Sequence, residues 1–344
     1  MEPGIKSSKS RVVVEVRRGS VVEARHLGAL ALATPTGDVT RRLGDTAART
    51  TTRSTIKAIQ ALPLVLSGAA EHFGLNAREL ALVCASHSAE PMHTQTVLRI
   101  LARAGLKPED LQCGPHRPMH GPTAEAQLRA GQVPTNLDNN CSGKHTGMLL
   151  TCLHQGWPQA NYLDPDHPLQ RQILAHLQEL ADDPTIAVAG RDGCSAPTFG
   201  ISVERLAVVA ARMAAPTGPL GSSLMRLTRA MAAHPEMVGG SDRLDTALMQ
   251  AAQGQLMCKI GAESSYVIAI FPGPAAPEGL GIAVKIADGG RRAVGPVVIE
   301  TLRQLGVLDA QAVEALKAYH RPTLENCRGL CVGHVVAQVD LQAS

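Results

Sequence analysis

Thr52-Arg53-Ser54-Thr55-Ile56-Lys57-Ala58-Ile59-Gln60-Ala61-Leu62-Pro63-Leu64-Val65-Leu66 is where the hydrophobic period of the chain changes. Before it, apolar residues alternate with polar ones, as in half-buried strands. From Ser54 onward they recur about every 3.6 residues, as in a helix. Ser54 and Lys57 are three apart, and on a helix that spacing puts both on one face, roughly 5–6 Å apart between Cβ atoms. A serine hydroxyl becomes a nucleophile when a base lies within hydrogen-bond reach. A lysine is such a base only as the neutral amine, which burial or a neighbouring cation favours. Ile56, Ile59 and Leu62 supply the burial, and Arg53 or a second lysine the cation. The plainer alternative is a solvated helix start with Ser54 as its cap.

Upstream, residues 1–9 read as a loose leader. Val12 to Val16 reads as a strand, Gly19-Ser20 as a turn, Val21 to Arg25 as a second strand and His26 to Thr34 as a third, closed by Pro35-Thr36-Gly37-Asp38. Downstream, helices are expected at 54–73, 77–82, 94–105, 123–130, 143–155, 168–181, 201–215, 222–234 and 242–253. Strands return at Tyr266 to Phe271 and Leu280 to Ala287, helices follow at 291–305 and 310–319, and Cys331 to Val339 closes as a strand. The order strands, helices, strands predicts an α+β fold: one antiparallel sheet built from both chain ends (about 10–50 and 259–340) around a large helical insertion (about 54–255). The expectation is a single domain over 1–344.

Composition narrows the function classes. The 344 residues are 44% hydrophobic and 18% charged, enough apolar material for a sizeable core. Aromatics are only 2%, so the core rests on Leu, Val, Ile, Ala and Met, and base-stacking platforms are disfavoured. Lys plus Arg is 33 against 30 Asp plus Glu, a net charge of +3, too balanced for a nucleic-acid footprint. Arg11, Glu15, Arg17 and Arg18 interrupt the first valines, so no signal-peptide pattern is read, and no apolar run is long enough to span a membrane. A cytoplasmic enzyme with no nucleic-acid or membrane partner is expected. Its eight cysteines, none in a C-x-x-C pair, are then mostly reduced.

Three further constellations carry chemistry. Asn139-Asn140-Cys141-Ser142-Gly143-Lys144-His145-Thr146-Gly147-Met148 repeats the three-residue spacing in Cys141 and Lys144, but it fails the phosphate-loop pattern. Asp192 and Cys194 stand two apart in the Gly-rich segment 190–200. Two thiolates from these loops suit zinc, with Lys144, His145 or Asp192 nearby; the alternative is two small buried hydrophobes. Cys258-Lys259-Ile260-Gly261-Ala262-Glu263 sets a lysine before the Tyr266 strand, and with Ser54-x-x-Lys57 and Ser86-His87-Ser88 it follows the order of the serine acyl-transferases.

Taken together, R-S-x-x-K and Q-A-L-P within 53–63, C-A-S-H-S at 84–88, the 139–148 stretch, R-D-G-C at 191–194 and K-I-G-A-E at 259–263 resemble the rhizobial-type L-asparaginases, the asparaginase II family. The resemblance runs from about Val12 to Val339. It implies a fold similar to serine β-lactamases and glutaminases, and hydrolysis of L-asparagine to aspartate and ammonia. It also implies two serine–lysine pairs, Ser54 with Lys57 and Ser86 with Lys259, and a zinc site of Cys141, Lys144 and Cys194. Arg53, His145 and Asp192 match residues beside the nucleophile and the metal, and a homodimer is implied. Ala58 and Ser264 depart from the family's usual residues and leave substrate preference open. The rivals are a glutaminase, a β-lactamase-like acyl-transferase and a zinc-binding relative without turnover.

Overall fold

The computed structural model describes residues 11–342; the leader expected over 1–9 lies outside them. The chain divides into two compact units, one comprising 11–50, 201–214 and 251–342, the other 51–200 and 215–250.

The first unit is built on an eight-stranded sheet. Its order is Thr323–Glu325, Cys331–Ala337, Arg11–Arg18, Val21–Ala33, Leu280–Ile286, Ser265–Ile270, Leu256–Ile260, with Val39–Leu43 also paired to Val21–Ala33. Its pairings are antiparallel, and both chain ends contribute, as the sequence order predicts. The two strands expected over 21–34 are one, Val21–Ala33. No residue around Arg25-His26 demands a turn, and the strand exchanges partners along its length. Its first half pairs with Arg11–Arg18, and its second half with Leu280–Ile286 and Val39–Leu43. Residues 28–33 are therefore central and buried throughout.

The helix Val203–Ala214, expected within the helical insertion, packs on this sheet instead. A Cβ at Gly281 would lie 2.1 Å from the carbonyl oxygen of Ala207, so only glycine admits the helix this close. Three strands of this sheet lie outside the sequence expectation: Val39–Leu43, Thr323–Glu325 and Leu256–Ile260, which holds Lys259 opposite Val267 at the end of the sheet order.

The second unit is mainly helical. The single helix expected over 54–73 is four short pieces: a 3-10 turn Arg53–Ile56, then Lys57–Gln60, Leu62–Leu66 and Ala69–His72. Pro63 sits in the first turn of the third piece and Gly68 adopts φ +80° before the fourth, so the apolar period persists while the backbone restarts. Asn76 and Glu79 form a capping box that starts Ala77–Val83. The helix Ser142–Gln155 packs on that one. A Cβ at Gly143 would stand 2.3 Å from the Leu82 carbonyl oxygen, so glycine lets the start of the second helix meet the end of the first.

Candidate active site

The stretch that opens the helical unit is docked before it turns. Thr52 donates its N–H to Phe199 O at 2.9 Å, and Arg53 donates its N–H to Thr198 Oγ1 at 3.2 Å. Arg53 then takes φ +45°, the left-handed region that a non-glycine residue occupies only when its surroundings impose it. Ser54 follows in the 3-10 turn, half-buried.

Lys57 is 1% exposed. Its Nζ donates to Ser86 Oγ at 2.9 Å, to Cys141 Sγ at 3.1 Å and, at short range, to the Ala85 carbonyl. Those three partners surround an amine that burial would otherwise leave unsatisfied. Ser54 is not among them. The spacing therefore identifies the two residues, but the amine pairs with Ser86 and not with Ser54. The reason is local: the 3-10 turn ends at Ile56 and a new helix begins at Lys57, so the two side chains do not share one regular helix.

Ser86 sits in the irregular segment after the Ala77–Val83 helix and is 4% exposed. Its N–H donates to Val238 O at 3.0 Å, the next N–H donates to Asn140 O at 3.2 Å, and Ser88 Oγ donates to Gly239 O at 2.8 Å. Ala89, at φ +60°, ends the segment in a strained conformation.

Cys141, Lys144, His145 and Cys194 are all buried. Cys141 and Lys144 flank the first turn of the Ser142–Gln155 helix, and Cys194 comes from the turn in which Asp192 N–H donates to Ala196 O at 2.8 Å. Lys144 Nζ donates to Cys194 Sγ at 3.0 Å. The two thiols act on each other: the neighbouring Cys141 holds Cys194 well below the usual thiol range, and Cys194 together with burial pushes Cys141 above it. Burial opposes charge on Lys144, but the Cys194 and Cys141 sulfurs outweigh it and hold the ammonium form. His145 is pushed down to about 4 by burial. Its Nδ1 lies 2.6 Å from the Tyr162 hydroxyl, while its Nε2 is buried without a hydrogen-bond partner. Tyr162 is a participant that no sequence signal pointed to.

Arg53 and Asp192 form a forked pair, with Nε and NH2 at 2.9 and 2.8 Å from Oδ1, and Asp192 also accepts the Gly193 N–H at 2.8 Å. Within the helical unit the structure thus joins Lys57 to Ser86 and Cys141, Lys144 to Cys194, and Arg53 to Asp192, with His145 next to Lys144 in the chain. Lys259 belongs to the sheet unit, where it is 1% exposed and its Nζ donates to Ile260 O at 2.9 Å.

The donor chemistry fits a soft divalent cation. The Lys144 amine lies 3.0 Å from the Cys194 sulfur, a second buried sulfur, Cys141, acts on both, and a neighbouring imidazole nitrogen is orphaned. Among the described residues no group of three or more His, Cys, Asp or Glu side chains is placed to hold a metal. A cation here would therefore need the Lys144 amine as a donor and would displace its proton.

The family described as L-asparaginase II matches residues 14–337. No curated protein matches the chain. Among solved structures, the chain is similar to a protein called Mglu in its native form, at 15% identity and TM-score 0.40, over 83% of this chain and 66% of that one. It is also similar to a probable glutaminase from Bacillus subtilis complexed with 6-diazo-5-oxo-L-norleucine, at 12% identity and TM-score 0.39, over 82% and 85%. The chain thus spans about two thirds of the Mglu structure.

Proposed function

From the premise that the chain belongs to the L-asparaginase II family, and is an amidohydrolase, we propose that it hydrolyses L-asparagine to L-aspartate and ammonia through an acyl-serine. One observation carries this reading: the buried Lys57 amine 2.9 Å from the Ser86 hydroxyl, with half-exposed Ser54 in the turn just before.

Ser54 attacks the side-chain carboxamide carbon, and Lys57, as the neutral amine turned from Ser86 toward Ser54, takes its proton. The carbonyl oxygen becomes an oxyanion, for which backbone N–H groups around Ser54 are the donors. Ser86, hydrogen-bonded to Lys57, relays the proton to the leaving nitrogen. The C–N bond breaks, ammonia departs and an acyl ester remains on Ser54. Water, deprotonated through the same relay, attacks the ester; aspartate leaves and Ser54 regains its proton. Arg53 and Asp192, held as a pair, orient the charged head group of the amino acid, and His145 lines the same neighbourhood. Lys259 keeps the role that the motif resemblance implies for it. Cys141, Lys144 and Cys194 would hold zinc, which when bound polarises a carbonyl or orients a head group.

The 2.9 Å contact also supports a second reading, with Ser86 as the nucleophile and Lys57 as its base. Mass spectrometry of the enzyme quenched during turnover separates them: the +aspartyl adduct falls on the Ser54 peptide in the first and on the Ser86 peptide in the second. Ser54→Ala should abolish ammonia release from asparagine; undiminished release sinks the first reading. Parallel kinetics on asparagine and glutamine assign the preferred amide. A homodimer and a cytoplasmic location belong to the same proposal, tested by light scattering and by cell fractionation.

A further inference from the structure

His87 follows Ser86 and is fully buried, yet the reaction as written does not use it. Its hydrogen bonds fix its tautomer. The Ala89 N–H donates to Nδ1 at 3.2 Å, so Nδ1 carries no proton. The ring proton of a neutral imidazole is then on Nε2, which lies 2.9 Å from Ser142 Oγ. Ser142 Oγ donates in turn to Leu137 O at 3.0 Å, which leaves its oxygen free to accept from His87. The direction of the chain is thereby set: Ala89 N–H to Nδ1, Nε2–H to Ser142, Ser142 to Leu137. Burial first, then the neighbouring His93, Lys57 and Arg243, keep the ring uncharged. His93 stacks on it at 5.0 Å with an interplanar angle of 12°. His93 is built the same way: Glu90 N–H donates to its Nδ1 at 3.0 Å, and its Nε2 lies 2.9 Å from Glu236 O.

The two ends of this chain matter. Ala89, strained at φ +60°, closes the segment that presents Ser86 to Lys57. Ser142 directly follows Cys141, whose sulfur is another partner of Lys57. His87 therefore links the two segments that meet on the Lys57 amine. We infer that His87 is a positioning residue, which as a neutral Nε2–H tautomer locks the Ser86 segment to the start of the Ser142–Gln155 helix and so holds the Ser86 hydroxyl in register with Lys57. The inference rests on the reading of Ser86 as a participant in proton transfer.

The test uses the full chain, ammonia release from asparagine, and five variants. Asparagine at 87 keeps an acceptor near the Ala89 N–H but does not reach Ser142; glutamine carries an amide N–H toward the Nε2 position. His87→Asn is expected to lower kcat about tenfold or more with KM changed less than about threefold, because misplacing a reacting group acts on the chemical step. His87→Gln should recover most of that loss. Ser142→Ala should lose kcat to a similar extent, and His87→Asn combined with Ser142→Ala should cost no more than either change alone. Melting temperatures accompany each measurement; should His87→Asn fail to fold, His87→Gln and Ser142→Ala carry the test. Wild-type kcat in Ser142→Ala, or fully additive losses in the double variant, overturn the positioning role. Ser86→Ala is the separate control: wild-type turnover there overturns the reading on which the inference rests, whereas a dead Ser86→Ala beside an unaffected Ser142→Ala overturns the positioning role alone.

Discussion

Two polar clusters among the described residues are built on opposite terms. In the helical unit, Lys57, Ser86, Cys141, Lys144, His145 and Cys194 are each buried, with amines set against sulfurs and hydroxyls. In the sheet unit, Glu300 gathers Arg303 at 2.7 and 2.9 Å, Gln304 at 2.8 Å and His320 at 3.1 Å at the partly exposed edge of the helix Val294–Gln304. The Glu300 cluster pairs opposite charges where water still screens them, so each contact contributes little to stability. The Lys57 cluster removes ionisable groups from water with few carboxylates to balance them, which is costly unless every donor finds an acceptor. Such an arrangement makes sense where the groups react or bind, and that contrast supports the proposal that the first cluster is the functional one.

The largest expected effect breaks the first cluster at its centre. Lys57→Met keeps much of the side-chain volume but removes the amine. Asparagine turnover should fall by about 10³ or more, with circular dichroism used to establish that the fold survives. Next, Cys194→Ser removes a sulfur that Lys144 and Cys141 share. Elemental analysis should show zinc bound to the parent protein and lost, or reduced about tenfold or more, in the variant; a parent protein free of zinc after growth in zinc-replete medium would reassign the two sulfurs to packing alone. A smaller effect is expected from Arg53→Lys. Lysine keeps the charge but not the fork that grips Asp192, so KM for asparagine should rise about tenfold while the fold is preserved.

The smallest effect lies in the second cluster and depends on pH. Arg303 first, and then Gln304 and His320, hold the Glu300 carboxyl down to about 2 against the ordinary 4.5, although partial burial opposes this. A carboxylate depressed in the folded state stabilises above its unfolded value and loses that contribution as pH falls. Glu300→Gln should therefore cost about 1 kcal/mol near neutral pH, after allowance for screening. That difference should vanish as the pH drops from about 4.5 toward 2, as denaturant melts at several pH values would show. A variant difference that persists unchanged at pH 2 would mean packing, not charge, sets the contribution of this cluster.

Some of this was legible in the residues alone. The change of hydrophobic period at Ser54 divides strands from helices because side-chain burial follows the backbone repeat, and that holds whatever the tertiary context. The motifs around Lys57, Ser86, Cys141, Lys144, Asp192 and Cys194 pointed to residues that do meet. Elsewhere local pattern and structure part. The helical period runs across Pro63 and Gly68, although the backbone restarts at both. Val21–Ala33 is one strand where its residues suggest two, because its change of pairing partner leaves no trace in them. The period of Val203–Ala214 marks a helix but not its layer, since an apolar face does not say what it packs on. Tyr162 was invisible because its hydroxyl matters only through what it touches.

By itself, then, the sequence determined the α+β class and singled out the candidate site residues, because periodicity and side-chain chemistry are properties of short stretches. Tertiary structure alone decided the pairings. Lys57 bonds Ser86, 29 residues on, and Cys141, 84 residues on, rather than Ser54 in the turn just before it. The physical reason is that a buried amine takes whichever acceptors the packed backbone brings within 3 Å or so. Those acceptors are delivered by the close approach of Gly143 to Leu82 and by the clasped Ser86 segment, neither of which any local spacing encodes.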